Sequence, residues 1–245
     1  MKSYTLTPSL LFIAMDSGVQ CQALVALRNL CVKDDENKVL LASAGAIDAI
    51  IQAMQNHRDD VSVQARACWV LSILGINVDN KIYICENGGA EMIVRSMWDY
   101  ADDLGVQEKA CRSLWTLSVH PQNRDSIMEV DGIPAIITAM KNHAGEPDIQ
   151  ERGCGVLCNL AANDDDIKVQ IVDDGALEAV VMAMVLHGEN ENVQEWAVNV
   201  LYKLCIPDNI EKMIEANVSP MMAVVAESFP ATQEKASYVL EQTAG

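Results

Sequence analysis

A short phrase that recurs at an almost constant interval constrains the fold of this 245-residue chain more than any other feature. It consists of Val or Ile, then Gln, then a small residue three positions further on. The phrase begins at Val19 and again at Val63, Val106, Ile149 and Val193, at intervals of 44, 43, 43 and 44 residues. A period near 43 residues is typical of two- or three-helix repeats that stack in one dimension. A Leu lies eight residues into each copy, and we expect these five side chains to form one buried column: Leu27, Leu71, Leu114, Leu157 and Leu201.

Each copy is predicted to contain three helices. An Asn recurs near the start of a short first helix (Asn37, Asn80 and Asn123), where we interpret it as an N-cap. That helix is predicted to stop at a left-handed residue, usually Gly: Gly45, Gly89, Gly132, Gly175 and, in the last copy, Asn217. A second helix with apolar residues at three- and four-residue spacing follows, predicted at Ala46 to Asn56, Ala90 to Asp99, Ile133 to Asn142 and Ala176 to Leu186. The third and longest helix begins at the Val-Gln phrase.

A His or Tyr stands at the end of each predicted second helix, three residues after a recurring Met: His57, Tyr100, His143 and His187. A helix C-terminus favours a polarisable or cationic side chain. We therefore interpret these residues as structural, with catalysis as the alternative.

This order of helices resembles the armadillo repeat, as found in beta-catenin and importin-alpha. The resemblance depends on Val63–Leu71, on Gly45-Ala46 and Gly89-Ala90, and on Gly153–Leu160, and it covers essentially the whole chain. It implies an all-α fold, a right-handed α-solenoid of about five three-helix armadillo-like repeats with partial terminal repeats. We expect a single domain over residues 1–245: a partial N-terminal repeat at about 1–31, repeats at about 32–75, 76–118, 119–161 and 162–205, and a C-terminal capping repeat at about 206–245.

The charge and the cysteines limit the class of partner and the compartment. The chain has 35 acidic and 17 basic residues and a net charge of −18, which disfavours nucleic acid as a partner. Cys68, Cys111 and Cys154 occupy one slot of the repeat, so we interpret the eight cysteines as buried, reduced thiols; a disulfide or metal role is the alternative. Leu10–Met15 is apolar, but Ala14-Met15 is in register with the second helices, and no run is long enough to span a membrane. We expect a cytoplasmic or nuclear protein without cofactors, metal or membrane insertion.

The resemblance implies that the third helices line a concave groove, where importin-alpha carries a Trp and, four residues later, an Asn in each repeat. Here that array is broken, since Trp69 is followed by Ile73 and only Asn29 and Asn159 occupy the Asn slot. Helix geometry adds a row of acidic residues and a row of aromatic residues on the same side. The predicted partner-binding residues are Asn29, Trp69, Glu108, Arg112, Trp115, Glu151, Asn159, Glu195 and Tyr202. The alternative is a set of ordinary solvated charges in which Glu108 and Arg112 partly neutralise each other, while Trp98 is a candidate for a separate contact outside the groove.

The function predicted from these residues is a non-catalytic protein–protein interaction scaffold that binds a segment of its partner in the concave groove. The alternative is an importin-alpha-like transport adaptor for a peptide signal, and a more distant one is an enzyme or metal-binding protein. We do not expect an enzyme, because no nucleophile with a base, phosphate loop or metal-ligand cluster stands out. The partner is predicted to be a protein or peptide with basic residues, and the oligomeric state is left open.

Overall fold

The computed structural model of the protein describes residues 16–162 and 164–244, and these residues form α-helices joined by short turns. They contain sixteen α-helices, two short 3-10 helices and no strand. The all-α fold expected from the sequence is therefore confirmed. The predicted start of the first repeat, including Ala14-Met15, lies outside the described residues.

The chain divides into two compact units, and the boundary lies between Val130 and Asp131. This boundary lies inside the repeat predicted at about 119–161, between its first and second helices, and not at a repeat border. The single domain over 1–245 and its repeat borders stay predictions. The first unit contains α1 (Ser17–Cys31), α2 (Asp35–Ser43), α3 (Ala46–Asn56), α4 (Val61–Leu74), α5 (Val78–Glu86), α6 (Gly89–Asp99), α7 (Leu104–Ser118) and α8 (Gln122–Met128). The second contains α9 (Gly132–Asn142), α10 (Pro147–Leu160), α11 (Asp165–Asp173), α12 (Ala176–Leu186), α13 (Glu191–Leu204), α14 (Ile210–Glu215), α15 (Val218–Ser228) and α16 (Gln233–Thr243), with 3-10 helices at Pro207–Asn209 and Pro230–Thr232.

Helices of the same type pack against each other within each unit. In the first unit the third helices α1, α4 and α7 lie side by side, as do the second helices α3 and α6 and the first helices α5 and α8. In the second unit the third helices α10, α13 and α16 and the second helices α9, α12 and α15 repeat this arrangement. Residues at equivalent positions of successive repeats are therefore neighbours in space.

The left-handed residue before each second helix is where the sequence indicated it in three cases and one residue earlier in two. Gly45, Gly175 and Asn217 have φ of 87°, 88° and 57°. In the other two repeats the left-handed residues are Gly88 and Asp131, with φ of 82° and 61°, so the assignment of this role to Gly89 and Gly132 was wrong. Gly89 is the first residue of α6, and a Cβ there would overlap Ile84. Glycine is therefore required at this position by close packing.

The recurring Asn does not cap the first helix, as the sequence suggested. The cap of α5 is Asn77, which accepts a hydrogen bond from the backbone N–H of Asn80. The buried amide of Asn80 instead donates to the carbonyls of Leu74 and of Lys38 in the preceding repeat, both at 3.1 Å. Asn123 and Asn209 bind equivalent carbonyls. The residue joins neighbouring repeats because its side chain satisfies backbone carbonyls from both.

The residues that end the second helices are structural, and two of them also contact the preceding repeat through their side chains. His57, Tyr100, His143 and His187 are the C-caps of α3, α6, α9 and α12. The Tyr100 hydroxyl donates to the carbonyl of Arg58 at 2.8 Å, and His187 Nε2 lies 2.8 Å from the carbonyl of Ala144. Each of these two side chains thus contacts the turn of the repeat before it.

The Leu column is buried except at its N-terminal end. Leu71, Leu114, Leu157 and Leu201 have no exposed surface, whereas Leu27 is only half-buried. Leu27 lines a shallow pocket of about 70 Å³ between α1 and α3, together with Ala49 and Ile50. The expectation of a column buried at all five positions is therefore wrong for the first Leu.

Candidate partner-binding surface

The third helices of the first unit carry five of the predicted partner-binding residues. Asn29 lies on α1, Trp69 on α4, and Glu108, Arg112 and Trp115 on α7. Asn29 and Arg112 are exposed, while Trp69, Glu108 and Trp115 are half-buried. Because α4 packs between α1 and α7, Trp69 has charged neighbours on both sides.

Two cations lie over the Trp69 ring. The guanidinium carbon of Arg28 is 4.4 Å from the ring centroid, and the Lys109 ammonium is 4.9 Å from it. Both distances are within the roughly 6 Å at which a cation is attracted by the ring quadrupole. The indole therefore holds two side chains of the protein itself, one from each neighbouring helix.

The predicted acidic and polar members of this group are already engaged. Glu108 Oε1 lies 2.6 Å from Lys109 Nζ, so its charge is shared with its sequence neighbour. The Asn29 side-chain oxygen accepts hydrogen bonds from Arg28 Nε at 3.2 Å and Arg28 Nη2 at 2.8 Å. In the first unit, the predicted acidic row therefore takes part in a local network with the cations.

A pocket of about 290 Å³ opens beside the Trp69 ring. Its polar part includes Arg28, Arg66 and Lys109, and the rest of the lining is apolar or small: Leu24, Val25, Ser62, Ala65, Trp69, Val70 and Gly105. The meeting of Arg28, Arg66 and Lys109 beside one ring was not predicted from the sequence. Arg66 and Lys109 occupy the same position of the repeat, three residues after the Val-Gln phrase begins, whereas Arg28 lies nine residues after it, so the sequence carried a signal for only part of this cluster.

The second unit contains the other four predicted residues: Glu151 and Asn159 on α10, and Glu195 and Tyr202 on α13. Glu195 is exposed and Glu151 is half-buried, with the Glu151 Oε2 atom 3.5 Å from Asn192 Nδ2. Asn159 is half-buried. Near it, Lys203 Nζ donates to the carbonyl of Cys158 at 2.9 Å, so the α10 and α13 helices are joined at this edge.

An aromatic pair forms the apolar part of this second surface. The Tyr202 and Tyr238 rings are 5.3 Å apart and meet edge to face at 66°. Edge-to-face geometry is favoured because the positive ring edge meets the negative ring face. Both tyrosines keep about two fifths of their surface exposed, 40% and 42%. Tyr238 was not among the predicted binding residues, although it occupies the Trp slot of the last repeat.

A metal centre and a membrane-spanning helix are both absent from the described residues. Within residues 16–162 and 164–244, no group of three or more His, Cys, Asp or Glu side chains is placed to hold a metal ion. Over the same ranges, none of the helices has both the length and the apolar character needed to cross a bilayer. Seven of the eight cysteines are buried and Cys21 is half-buried.

Comparison with solved structures identifies the fold. A designed armadillo repeat protein is 18% identical to this chain, with a TM-score of 0.79, and the match covers 93% of this chain and 94% of the other. A second designed armadillo repeat protein, in complex with the peptide (KR)4, is 16% identical over 93% and 94% of the two chains, with a TM-score of 0.78. The chain has the armadillo-repeat fold. No protein-family model and no curated protein sequence matches it.

A further solved chain gives a weaker match. It comes from a structure of the interaction between cadherin and beta-catenin, is 19% identical, and has a TM-score of 0.56 over 95% of this chain and 52% of that chain. At these identities the comparisons establish the armadillo-repeat fold and leave the partner open.

Proposed function

We propose that this armadillo-repeat chain is a non-catalytic protein-interaction scaffold whose third-helix surfaces bind a segment of a partner protein. The observation that carries the proposal is the exposed aromatic surface of these helices, above all the Tyr202–Tyr238 pair. Aromatic side chains with a fixed orientation lose little conformational freedom on binding and are enriched at binding hot spots. The Trp69 pocket supplies a second aromatic surface of this kind in the first unit.

We propose that basic residues of a partner bind the second unit. Glu195 is exposed on α13, the helix that carries Tyr202, and Glu151 lies on the adjacent α10. The designed armadillo protein in complex with (KR)4 supports a basic peptide as the ligand class, as does the net charge of −18. Exposed carboxylates of this kind increase the association rate more than the affinity.

The transport-adaptor alternative receives less support from the same residues. A regular array of Trp and Asn pairs would be needed, yet the position four residues after Trp69, where an Asn is required, holds the buried Ile73. Asn29 has its side-chain oxygen occupied by Arg28. We propose the cytosol or nucleus as the compartment, since the buried cysteines suit a reducing environment.

The proposal is tested by capture of partners with the full chain and its single variants, followed by affinity measurement on the partner that the native chain captures. Trp115→Ala and Tyr202→Ala should each weaken binding by about tenfold or more, as expected for aromatic anchors. Trp98→Ala is the matched control, because Trp98 is 44% exposed on the second helix α6. Glu195→Gln should mainly slow association and reduce its dependence on salt.

The opposite pattern would overturn the proposal. If Trp69→Ala, Trp115→Ala and Tyr202→Ala all keep the native affinity while Trp98→Ala loses it, the partner binds the second helices. Circular dichroism of each variant separates loss of binding from loss of fold.

A further inference from the structure

The pocket beside Trp69 is basic, in a protein with a net charge of −18. Arg28, Arg66 and Lys109 line it, one from each of the third helices of the first unit, and none of the described residues in its lining is acidic. Three of the chain's 17 basic residues therefore meet around a pocket of about 290 Å³. Such a convergence of like charge costs energy unless an anion is bound.

Contacts within the protein compensate only part of this charge. Both hydrogen bonds of Arg28 go to the neutral amide oxygen of Asn29. Arg66 lies near the thiol of Cys21, which is also a neutral partner. Lys109 has a carboxylate partner in Glu108, at 2.6 Å. Among the described residues, these contacts pair one carboxylate with three cations, so the two guanidinium groups keep donors available to an anion.

The aromatic ring excludes one class of ligand group. Arg28 and Lys109 already lie over the Trp69 ring at 4.4 and 4.9 Å from its centroid. A cation of a ligand would need the positions that these two side chains occupy. A further cation would also meet the repulsion of the existing ones. A carboxylate, in contrast, would gain charge-assisted hydrogen bonds, and arginine presents its donors in a fork that matches the two carboxylate oxygens.

The remaining lining defines the rest of the ligand. Leu24, Val25, Ala65 and Val70 give the pocket an apolar wall beside the Trp69 ring. Its volume lies at the lower end of the roughly 300–1,000 Å³ of small-molecule sites, which suits one side chain of a peptide and its neighbouring carboxylate. A peptide bound here would need an acidic group next to an apolar side chain.

We propose that the Trp69 pocket binds an acidic peptide segment, with its carboxylate between Arg28 and Arg66 and an apolar side chain against the wall formed by Leu24, Val25, Ala65 and Val70. This inference rests on the proposed function, because it assumes that the third helices bind peptide. It assigns to the first unit a ligand of opposite charge to the one proposed for the glutamates of the second. The carboxylate can come from an Asp or Glu side chain or from a peptide C-terminus.

The experiment selects ligands from a random peptide library displayed on phage, with the full chain immobilised. Peptides enriched by the native chain and not by an Arg28→Gln/Arg66→Gln variant identify the ligands of this pocket. One such peptide is then synthesised with a free and with an amidated C-terminus, and its dissociation constant is measured by fluorescence polarisation. Loss of affinity on amidation assigns the carboxylate to the C-terminus, and retention assigns it to a side chain.

Four variants test the geometry with the selected peptide. Arg28→Gln should weaken binding by about tenfold or more, because a charge-assisted hydrogen bond is lost. Arg28→Lys should weaken it less, since the charge stays but the fork is lost. Ala65→Leu should block the pocket without changing any charge. Arg95→Gln is the control, with the same change of charge on α6, where Arg95 pairs with Glu91.

We expect selected peptides rich in Asp or Glu and in Leu or Phe, with an affinity that falls as salt is added. The inference is overturned if the selected peptides are basic or uncharged, or if Ala65→Leu and Arg28→Gln bind the acidic peptides as well as Arg95→Gln does. If the selected peptides are basic and their binding depends on Tyr202, the proposed function stands and only the inference about the Trp69 pocket is overturned. Failure to select any peptide would overturn both. Far-ultraviolet circular dichroism confirms that each variant is folded.

Discussion

The side-chain amide of Gln150 donates a hydrogen bond to the main-chain carbonyl of Met140 at 3.1 Å, and a second to that of His143 at 2.9 Å. These carbonyls belong to the last turn of α9, where no further helical N–H is available to bind them. Gln64, Gln107 and Gln194 make the same pair of bonds in their own repeats. The Gln of the recurring phrase thus joins each third helix to the end of the second helix before it.

We expect Gln150→Ala to lower the free energy of unfolding by about 1–3 kcal/mol, because the buried carbonyl of Met140 loses its side-chain partner. The carbonyl of His143 keeps only the backbone N–H of Glu146. Equilibrium denaturation in urea measures the change. Gln52→Ala is the control, since Gln52 is exposed on α3 and bonds only to Gln55 and Asn56. A loss of less than about 0.5 kcal/mol for Gln150→Ala, typical of surface positions, would show that the bonds have no net effect.

Leu157→Ala should cost about 2–5 kcal/mol, because Leu157 is fully buried on α10 and its removal leaves a cavity. Leu186→Ala offers the same chemical change at a position that is 52% exposed, where we expect a change within about 0.5 kcal/mol. Denaturation curves of the two variants should therefore differ clearly. Equal midpoints would contradict the burial of the Leu column.

Gly88→Ala should destabilise the protein by about 1–2 kcal/mol, since a Cβ disfavours the left-handed conformation. Contacts with the rest of the protein add nothing to this cost, because no atom beyond the neighbouring residues lies within 4 Å of a Cβ at this position, where φ is 82°. Gly145→Ala is the control, because a Cβ at Gly145 also has no atom within 4 Å but the φ of Gly145 is not positive. The thermal midpoint of this variant should stay close to that of the native chain. If both variants unfold at the same temperature, the left-handed turn at Gly88 is not a source of stability.

The cysteines should react with a thiol reagent in an order set by burial. Desolvation raises the pKa of the Cys68 and Cys85 thiols to about 12, so at pH 8 both stay protonated and unreactive, because the thiolate is the nucleophile. Burial also raises the pKa of Cys21, but this thiol is half-buried and accessible. Labelling followed by peptide mass spectrometry should find Cys21 modified first and Cys68 only after denaturant is added. Rapid modification of Cys68 in the native protein would contradict its burial.

The reduced state of the thiols and the absence of a structural metal remain predictions from the sequence. The thermal midpoint should not change with a chelator or a mild reductant. A large decrease with the reductant would indicate a disulfide, and a decrease with the chelator would indicate a structural metal.

Much of the repeat could be predicted because its determinants are local. The bounds of α3 and α12, Ala46–Asn56 and Ala176–Leu186, are those predicted from the spacing of apolar residues. The left-handed residues were predictable where a Gly or Asn stood alone, as at Gly45 and Asn217. Where two candidates were adjacent, as at Gly88 and Gly89, only the backbone distinguished the left-handed turn from a site of close packing.

Interactions between repeats could not be predicted in this way. The sequence marked Asn80 as a recurring residue, but whether its amide capped its own helix or bound the carbonyl of Lys38 depended on a contact 42 residues apart. Such a contact is formed by the distance and orientation of two packed helices, which the periodicity of one helix does not contain.

The candidate surface was likewise predictable only in part. The sequence alone determined which side chains share the exposed side of the third helices, because a helix of 3.6 residues per turn orders its own faces. Only the tertiary structure decided that Arg28 and Lys109 meet over Trp69, that Glu108 pairs with Lys109, and that Tyr202 packs on Tyr238. Charge and aromatic character are properties of a residue, whereas the pocket they form depends on how closely three neighbouring helices pack.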